Sequence, residues 1–204
     1  MKLGIIIGTT RQGRVSAREA KWVLKAANKM EDVEAEVVDL RDYPMPFFDE
    51  PISPRYNQDR EIDPAAVPWL KKLKSFDAYV FVTAEYNHSI PGVLKNALDY
   101  VTWEIQRKPA AIVSHGAAGG ARAQIMLKVI LSESKAVPIP LPSALAVAGM
   151  SEKIDESGAL TETGKANEYF QKGLEDTLDE LQWYSDALAK ARVASQEGAD
   201  LLPV

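Results

Sequence analysis

The stretch from Ala78 to Asp99 constrains the fold of this chain more than any other part of the sequence. It opens with an apolar, β-branched and aromatic run, Tyr79 to Thr83, which is typical of a strand buried on both faces. A polar loop, Glu85 to Ser89, follows the strand. Pro91 then stands in the first turn of a helix, where its missing N–H costs nothing. Since a strand leads through this loop directly into a helix, we predict that the loop lies at the carboxyl edge of a sheet, where open α/β sheets bind ligands.

Strands and helices alternate along the rest of the chain. The predicted strands are Leu3–Gly8, Glu34–Leu40, Tyr79–Thr83, Pro109–His115 and Val137–Val147. The predicted helices are about Val15–Met30, Trp69–Ser75, Pro91–Gln106, Ala121–Ser134 and Gly164–Arg192, with Thr161 or Thr163 as the cap of the last. Five alternations predict an α/β fold with a parallel sheet and helices on both faces. Five strands fit a flavodoxin-like three-layer sandwich, strand order 2-1-3-4-5, better than the six-stranded dinucleotide fold.

We expect one domain over residues 1–194 and a C-terminal tail over residues 195–204. One segment inside the domain differs in kind, because Tyr43 to Pro68 holds six prolines and little periodicity. It is predicted to be a long, proline-stiffened loop. Loops of this length in compact domains are often functional or lie at an interface.

Composition excludes several classes of function. The 204 residues include no cysteine, so disulfides, thiolate metal sites, iron–sulfur ligation and a cysteine nucleophile are excluded. The formal net charge of −5 argues against a general nucleic-acid binder. No segment is apolar for long enough to span a bilayer, and the N-terminus does not resemble a signal peptide. We therefore expect a cytoplasmic protein with a small-molecule partner, no nucleic acid and no membrane.

The first informative loop, Thr9 to Ser16, precedes a predicted helix. Helix N-termini present free N–H groups and a partial positive charge, which suit a phosphate. Thr9, Thr10 and Ser16 offer hydroxyls, and Arg11 or Arg14 offers charge-assisted hydrogen bonds. The loop is neither a Walker A motif nor Gly-x-Gly-x-x-Gly. A polar loop with two solvated arginines is the alternative interpretation.

The second and third loops follow the third and fourth strands, at the same predicted edge. In Glu85-Tyr-Asn-His-Ser89, backbone amides and Tyr86 suit a flat heteroaromatic ring, although turn and cap roles are open. In Ser114-His-Gly-Ala-Ala-Gly-Gly120, glycines allow a ligand close to the backbone, although a sharp turn explains them too.

Three other chemistries are weaker interpretations. A Ser114–His115 hydrolase is disfavoured because adjacent residues on a strand point to opposite faces. A metal pair of His88 and His115 is disfavoured because the chain has two histidines and no cysteine, so we predict no metal site. Asp39, at the end of the second strand, is predicted to be a turn former or a cap rather than a ribose-binding acid.

Taken together, these loops resemble the NADPH-dependent FMN reductase family. The resemblance rests on Gly8-Thr-Thr-Arg-Gln-Gly-Arg14, on Ala84-Glu-Tyr-Asn-His-Ser-Ile-Pro-Gly-Val-Leu-Lys-Asn-Ala-Leu-Asp99, and on Ser114-His-Gly-x-x-Gly-Gly120. It covers about Lys2 to Val147, and the second motif is the most specific. Threonine at position 9 replaces the family's usual serine and keeps the hydroxyl, and alanine at position 84 replaces its usual proline.

The resemblance implies a flavodoxin-like fold, bound FMN, and hydride transfer from NAD(P)H to a second acceptor such as a flavin, quinone, azo compound or metal oxyanion. It implies no side-chain acid–base catalyst. It implies that Thr9, Arg11 and Ser16 hold the phosphate, that Glu85, Tyr86, Asn87 and His88 line the flavin ring, and that Ser114, His115 and Gly116 line its other edge. The role of Arg14 stays open between phosphate, the NADPH 2′-phosphate and solvent. The alternative functions are an FMN-binding electron carrier without NAD(P)H turnover and a hydrolase or transferase on the same fold.

The resemblance also implies a homodimer or homotetramer. Five aromatic residues of the long loop and of the helix after Pro91 are predicted to form part of a homodimer interface that overhangs the flavin sites: Phe47, Phe48, Tyr56, Tyr100 and Trp103.

Overall fold

A computed structural model describes residues 1–57, 59–140, 144–147 and 149–197, with the backbone alone at 144–147 and 196–197. Its strands are β1 Lys2–Ile7, β2 Glu34–Asp39, β3 Ala78–Ala84, β4 Pro109–His115, β5 Val137–Pro138 and β6 Ala144–Val147. All pairings between these strands are parallel, in the order β2-β1-β3-β4-β5, and β6 also pairs with β4. The predicted flavodoxin-like strand order is therefore confirmed.

The predicted fifth strand consists of two short segments rather than one. Both β5 and β6 lie beside β4, at its start and at its end. Pro138 and Pro140 lie in or directly after β5 and have no N–H to donate to the ladder, so regular pairing cannot continue. Residues 141–143, which include Pro142, lie outside the described part.

The helices are α1 Ser16–Ala27, α2 Val67–Lys74, α3 Gly92–Asp99, α4 Ala121–Glu133, α5 Met150–Lys153, α6 Glu162–Lys165 and α7 Glu168–Glu197. Buried residues of α2, α3 and α4 pack on one face of the sheet, and those of α1 and α7 pack on the other. Every residue of β3 is buried, as a central strand requires. Trp22 of α1 stacks on Phe170 of α7 with ring centroids 4.4 Å apart, which joins the two helices of the second face.

Two helices differ from their predicted lengths. The helix after Pro91 ends at Asp99 rather than near Gln106. Its continuation would need the Ala97 carbonyl to accept from Val101 N–H, but that oxygen accepts from Trp69 Nε1 at 2.9 Å, and Val101 N–H donates to the Leu98 carbonyl instead. The last helix is divided into α6, which Thr161 caps by accepting from Gly164 N–H at 3.2 Å, and α7. α7 reaches Glu197, beyond the predicted end of the helix and into the predicted tail.

The long loop from Tyr43 to Pro68 is fastened to α3. The side chain of Asn96 donates to the Pro46 carbonyl at 2.8 Å and accepts from Phe48 N–H at 2.9 Å. Arg60 pairs with Glu50 at 2.7 Å, and both side chains are almost fully buried. The described part of the loop, 43–57 and 59–68, is thus held by side chains of α3 and by its own ion pair.

Candidate functional site

The three polar loops meet at the carboxyl edge of the sheet. β1 lies beside β3, and β3 lies beside β4, so the loops that follow these strands are neighbours. Gly8 N–H donates to the Val82 carbonyl at 2.8 Å, which joins the first loop to β3. Glu85 N–H donates to the His115 carbonyl at 2.7 Å, which joins the second loop to the third. Backbone pairing therefore brings the segments around Arg11, Tyr86 and His115 to the same edge of the sheet. The space that these three loops border is the candidate crevice.

Arg14 is the structural arginine of the first loop. Its guanidinium pairs with the Asp39 carboxylate at the end of β2 and donates to the Thr9 carbonyl. The Arg14 side chain is only 7% exposed. Asp39 also accepts from Arg41 N–H at 3.0 Å, which is the capping role predicted for it. Partial burial by itself would raise the pKa of Asp39, but the hydrogen bonds from Arg14 and Arg41 outweigh it and lower the pKa.

Arg11, by contrast, is exposed, and its guanidinium has no hydrogen bond or ion pair with any described residue. Arg41 donates to the carbonyls of Thr10 and Arg11 and so holds the loop backbone. The N–H groups of Val15, Ser16 and Ala17, at the start of α1, have no acceptor among the described residues. A free guanidinium on the loop that leads to free amides at a helix N-terminus suits an anionic group such as phosphate.

The two hydroxyls predicted to hold phosphate are inside the protein. Thr9 and Ser16 are fully buried, and Thr9 Oγ1 lies 3.0 Å from Ser16 Oγ. Their hydrogen bond closes the loop onto the first residue of α1. In this arrangement the hydroxyls shape the loop, and the donors outside the buried interior are the Arg11 guanidinium and the start of α1 at Val15 and Ala17.

The second loop is a two-residue turn. Tyr86 and Ser89 exchange two backbone hydrogen bonds of 2.9 and 3.0 Å. Asn87 and His88 between them have φ of 49° and 67°, the sign that a type I′ turn requires at both central positions. Both are exposed at the tip, and Tyr86 is half-buried. Positive φ at a histidine is uncommon and costs free energy.

Glu85 fastens the second loop to α4. Its carboxylate accepts from the Arg122 guanidinium at 2.9 Å and from Arg122 N–H at 3.1 Å. The hydrogen bond from the Arg122 side chain lowers the pKa of Glu85. The Glu85 side chain is therefore committed to the start of α4, and its backbone is the part available to line the crevice.

Ser114 and His115, adjacent at the end of β4, face opposite sides of the sheet. Ser114 Oγ lies 3.4 Å from the Gly119 carbonyl, whereas His115 Nδ1 lies 2.7 Å from Glu19 Oε2 of α1. They make no serine–histidine pair. Gly120 has a φ of 79°, and a Cβ there would lie 2.8 Å from His115 N. Glycine is therefore required for the turn to fold back on β4.

Sequence reasoning missed Glu19, Arg41 and Arg122. For Glu19 one signal was available, since an acid lies on the otherwise apolar face of α1 beside Ala20 and Val23. Arg41 and Arg122 carry no local signal, because each acts on a loop that is distant in sequence. The described residues hold no cluster of three metal-ligating side chains, and none of their helices is long and apolar enough to cross a membrane.

A cavity of about 420 Å³ lies between the C-terminal parts of α3 and α4, and its lining includes Leu98, Trp103 and Ile130. Helices of this fold run opposite to the strands, so this cavity is near the amino edge of the sheet and away from the three loops. A smaller cavity of about 280 Å³ lies beside the first loop, between Thr10, Tyr43 and Val93.

Comparison with known proteins identifies the family of this chain. Residues 1–149 match the family of NADPH-dependent FMN reductases. An NAD(P)H-dependent FMN reductase of Schizosaccharomyces pombe is 35% identical over 144 residues, which is 71% of this chain and 72% of that protein. The NADH:(hydroxy)cinnamate reductase subunit CrdA of Vibrio ruber is 29% identical over 91% of this chain and 87% of its own.

Among solved structures, the flavoenzyme NAD(P)H:(acceptor) oxidoreductase FerB of Paracoccus denitrificans superposes with a TM-score of 0.72. It covers 90% of this chain and 98% of its own, at 23% identity, so it supports the fold alone. The residues that match the family include all six described strands and the three loops. The chain therefore belongs to the NADPH-dependent FMN reductase family, and it is an oxidoreductase that uses FMN and NAD(P)H.

Proposed function

We propose that this protein passes a hydride from NAD(P)H, through bound FMN, to a second small-molecule acceptor such as a flavin, a quinone, an azo compound or a metal oxyanion. The observation that carries the proposal is the unpaired Arg11 guanidinium in the loop that leads to the free amides of Val15 and Ala17 at the start of α1. The other cation of this loop, Arg14, is already neutralised by Asp39. A phosphate bound here would therefore meet one available charge and several available N–H donors.

The residues of the crevice fit a phosphorylated planar ring. Arg11 and the amides would hold the phosphate, with Thr9 and Ser16 shaping the loop behind them. The turn Glu85 to His88 would line one part of the ring, and Ser114, His115 and Gly116 would line the other. A Cβ on Gly116 would lie 3.0 Å from Glu85 Cβ, so glycine keeps the second and third loops close.

FMN, when bound, supplies the two-electron chemistry, and the chain supplies position and hydrogen-bond donors. The loops order the crevice before the ligand arrives, because their backbones are already cross-linked by the Glu85–His115 hydrogen bond and the Glu85–Arg122 pair. Preorganised donors at a sheet edge favour added negative charge without reorganisation. No side chain is assigned as an acid–base catalyst.

The test compares two flavin ligands and then follows one reaction. Purified protein is titrated with FMN and with riboflavin, which lacks the phosphate, and flavin fluorescence gives the two affinities. We expect tighter binding of FMN, and bleaching of the flavin absorbance when NAD(P)H is added without oxygen. Bleaching followed by turnover with a quinone supports the reductase. FMN binding without bleaching supports the electron carrier instead, and no FMN uptake at all excludes both.

We also propose a homo-oligomer, on the basis of an apolar patch on α4. Ile125, Met126 and Val129 are 63%, 44% and 62% exposed, and Trp103 beside them is 36% exposed. Clustered exposed apolar side chains mark interaction sites. Phe47 and Tyr56 are exposed as predicted, whereas Tyr100 is buried and holds the half-buried Phe48 edge-on at 5.2 Å, so these two are packing residues.

Light scattering tests the oligomer. We expect a dimer or tetramer at micromolar concentration for the wild type, and dissociation for Val129→Asp. Val193→Asp is the matched control, because Val193 is also exposed, at 53%, but lies on α7. A monomeric wild type refutes the proposal.

A further inference from the structure

A buried acid lies behind the third loop. Glu19 of α1 is 0% exposed, and its Oε2 lies 2.7 Å from His115 Nδ1. Its other oxygen, Oε1, is buried and has no hydrogen-bond partner. A buried carboxylate with one oxygen unpaired is costly, and such groups in native proteins call for an explanation.

The second ring nitrogen of His115, Nε2, is not enclosed by the protein. Its side chain is 16% exposed, although Nδ1 faces a fully buried carboxylate. Nε2 makes no hydrogen bond with any described residue, and it is not among the buried unpaired atoms. Nε2 is therefore the nitrogen of His115 that a ligand at the carboxyl end of β4 can reach.

The number of protons shared by Glu19 and His115 decides whether His115 Nε2 is a hydrogen-bond donor or an acceptor. With one proton on the pair, it lies between Oε2 and Nδ1, Nε2 is a bare acceptor, and the buried pair carries a net charge of −1. With two protons the pair is neutral overall, and Nε2 carries a hydrogen whether the other proton is on Glu19 or on Nδ1. Burial disfavours net charge, so it favours the two-proton state. The pKa of Glu19 agrees with the two-proton state, because burial raises it even though the contact with His115 opposes the rise.

Charged groups around the pair are engaged elsewhere. On the first loop and α1, Arg14 pairs with Asp39 and Arg18 with Glu156. After β3, Glu85 pairs with Arg122 of α4. On α7, the residues that contact Trp22 of α1 are Phe170 and Gln171, and neither is charged. On α5, Glu152 and Lys153 lie against Gly149.

We propose that Glu19 and His115 together hold two protons near neutral pH, and that His115 Nε2–H donates a hydrogen bond to an acceptor atom on the ring of the ligand in the crevice. Glu19 is then a positioning residue, because it acts through His115 and does not itself touch the ligand. This inference rests on the proposed function only for the identity of the ligand, FMN. The protonation of the pair is a property of the chain without ligand.

The first test is nitrogen-15 NMR of the histidine rings in the unliganded wild type. The chain has two histidines, so the exposed His88 serves as an internal reference. We expect His115 Nε2 to keep a pyrrole-like, protonated shift from about pH 6 to 8, the range over which an ordinary histidine titrates. A pyridine-like Nε2 in that range shows the one-proton pair and overturns the proposal. This measurement needs no variant to fold.

The second test is flavin binding by the double variant Glu19→Leu/His115→Leu, which removes the donor nitrogen together with the buried acid and keeps apolar bulk. Loss of one neutral hydrogen bond predicts affinity about 3- to 10-fold weaker. The loss is expected for FMN and riboflavin alike, because the contact is to the ring. Glu50→Gln is the matched control, since Glu50 is a nearly buried acid with one unpaired oxygen in the long loop. Its flavin affinities should equal those of the wild type.

The outcomes separate this inference from the proposed function. If the wild type binds no FMN, the proposed function fails and the donor role fails with it. If the wild type binds FMN but the folded double variant Glu19→Leu/His115→Leu binds both flavins as tightly as Glu50→Gln, the donor role alone is overturned.

Discussion

The guanidinium of Arg14 donates to the carboxylate of Asp39 across 2.7 Å from Nη1 to Oδ1, and this pair ties the first loop to the end of β2. Arg11, three positions earlier, has no such partner in the described chain. We therefore expect different roles for the two arginines of this loop, stability for Arg14 and phosphate binding for Arg11. Their substitution gives a pair of opposite predictions.

Arg14→Ala is expected to destabilise the protein. The Arg14 and Asp39 side chains are 7% and 23% exposed, so the cost lies between those of surface and fully buried pairs, at about 2 kcal/mol. For a chain of this size that corresponds to a melting temperature lower by about 4–8 °C. Differential scanning calorimetry measures it, with Arg11→Ala as the control that should leave the melting temperature nearly unchanged.

The stability that the Arg14–Asp39 pair contributes is expected to depend on pH. Because the pKa of Asp39 is lowered in the folded state, its stabilising contribution is present above the usual value of 3.8 and is lost as the pH falls through the lower folded value. The difference in stability between wild type and Arg14→Ala should therefore shrink below about pH 4. A constant difference down to the acid unfolding of both proteins would show that the ion pair is not its source.

Arg11→Ala is expected to weaken FMN binding by about 1.5–3 kcal/mol, the range for a hydrogen bond to a charged group. Riboflavin affinity should not change, because riboflavin has no phosphate for Arg11 to contact. Fluorescence titration of both flavins measures the two effects. Equal loss for the two ligands, or no loss for FMN, would remove Arg11 from the phosphate site.

His88→Gly is expected to stabilise the second loop. Asn87 and His88 both have positive φ, and glycine adopts this backbone without the cost that a Cβ imposes. The gain should be about 0.5–1 kcal/mol, because glycine also loses more conformational entropy on folding. Thermal unfolding measures it, and Ser89→Gly, next in the chain but outside the positive-φ pair, should not stabilise. A lower melting temperature for His88→Gly would show that its ring makes stabilising contacts.

Lys108 lies at the opposite edge of the sheet, and through it the stability of the protein is expected to depend on pH. Burial, followed by the positive charge of Arg192, lowers the pKa of Lys108 to about 8. Its Nζ donates to the Lys74 carbonyl at 2.9 Å. Because the unfolded chain holds this proton up to its ordinary value of 10.5, the wild type gains stability as the pH rises from 8 to 10.5. Lys108→Met lacks this gain, so the melting temperature of the variant relative to wild type should fall over that range. A melting-temperature difference between the two proteins that stays constant over this pH range would contradict the prediction.

Local sequence was sufficient for the first four strands and for placing the three polar loops at one edge of the sheet. Tyr79 to Thr83 is an uninterrupted apolar run, and Pro91 shortly after it marks a helix start, so both elements depend on neighbouring residues alone. The third loop was predictable for the same reason, since the glycines at 119 and 120 have φ of 75° and 79° that few other residues adopt. The start of β4 at Pro109 followed from the missing donor of proline.

Helix ends were less predictable, because distant residues set them. Nothing near Ala97 shows that its carbonyl accepts from Nε1 of Trp69, a residue of α2. The periodic pattern after Asp99 therefore predicted a helix that the tertiary contact ends. The two-segment fifth strand, by contrast, follows from prolines that are visible in the sequence.

The sequence by itself determined a parallel α/β sheet and three polar loops at one edge, because hydrophobic periodicity, glycine and proline act within a few residues of chain. Only the tertiary structure decided which side chains remain free at that edge. Arg14 meets Asp39 over 25 residues of chain, and Glu19 meets His115 over 96. A charge is neutralised or left available by whichever group folding brings within about 4 Å, and that distance is set by strand order and helix packing, not by position in the sequence.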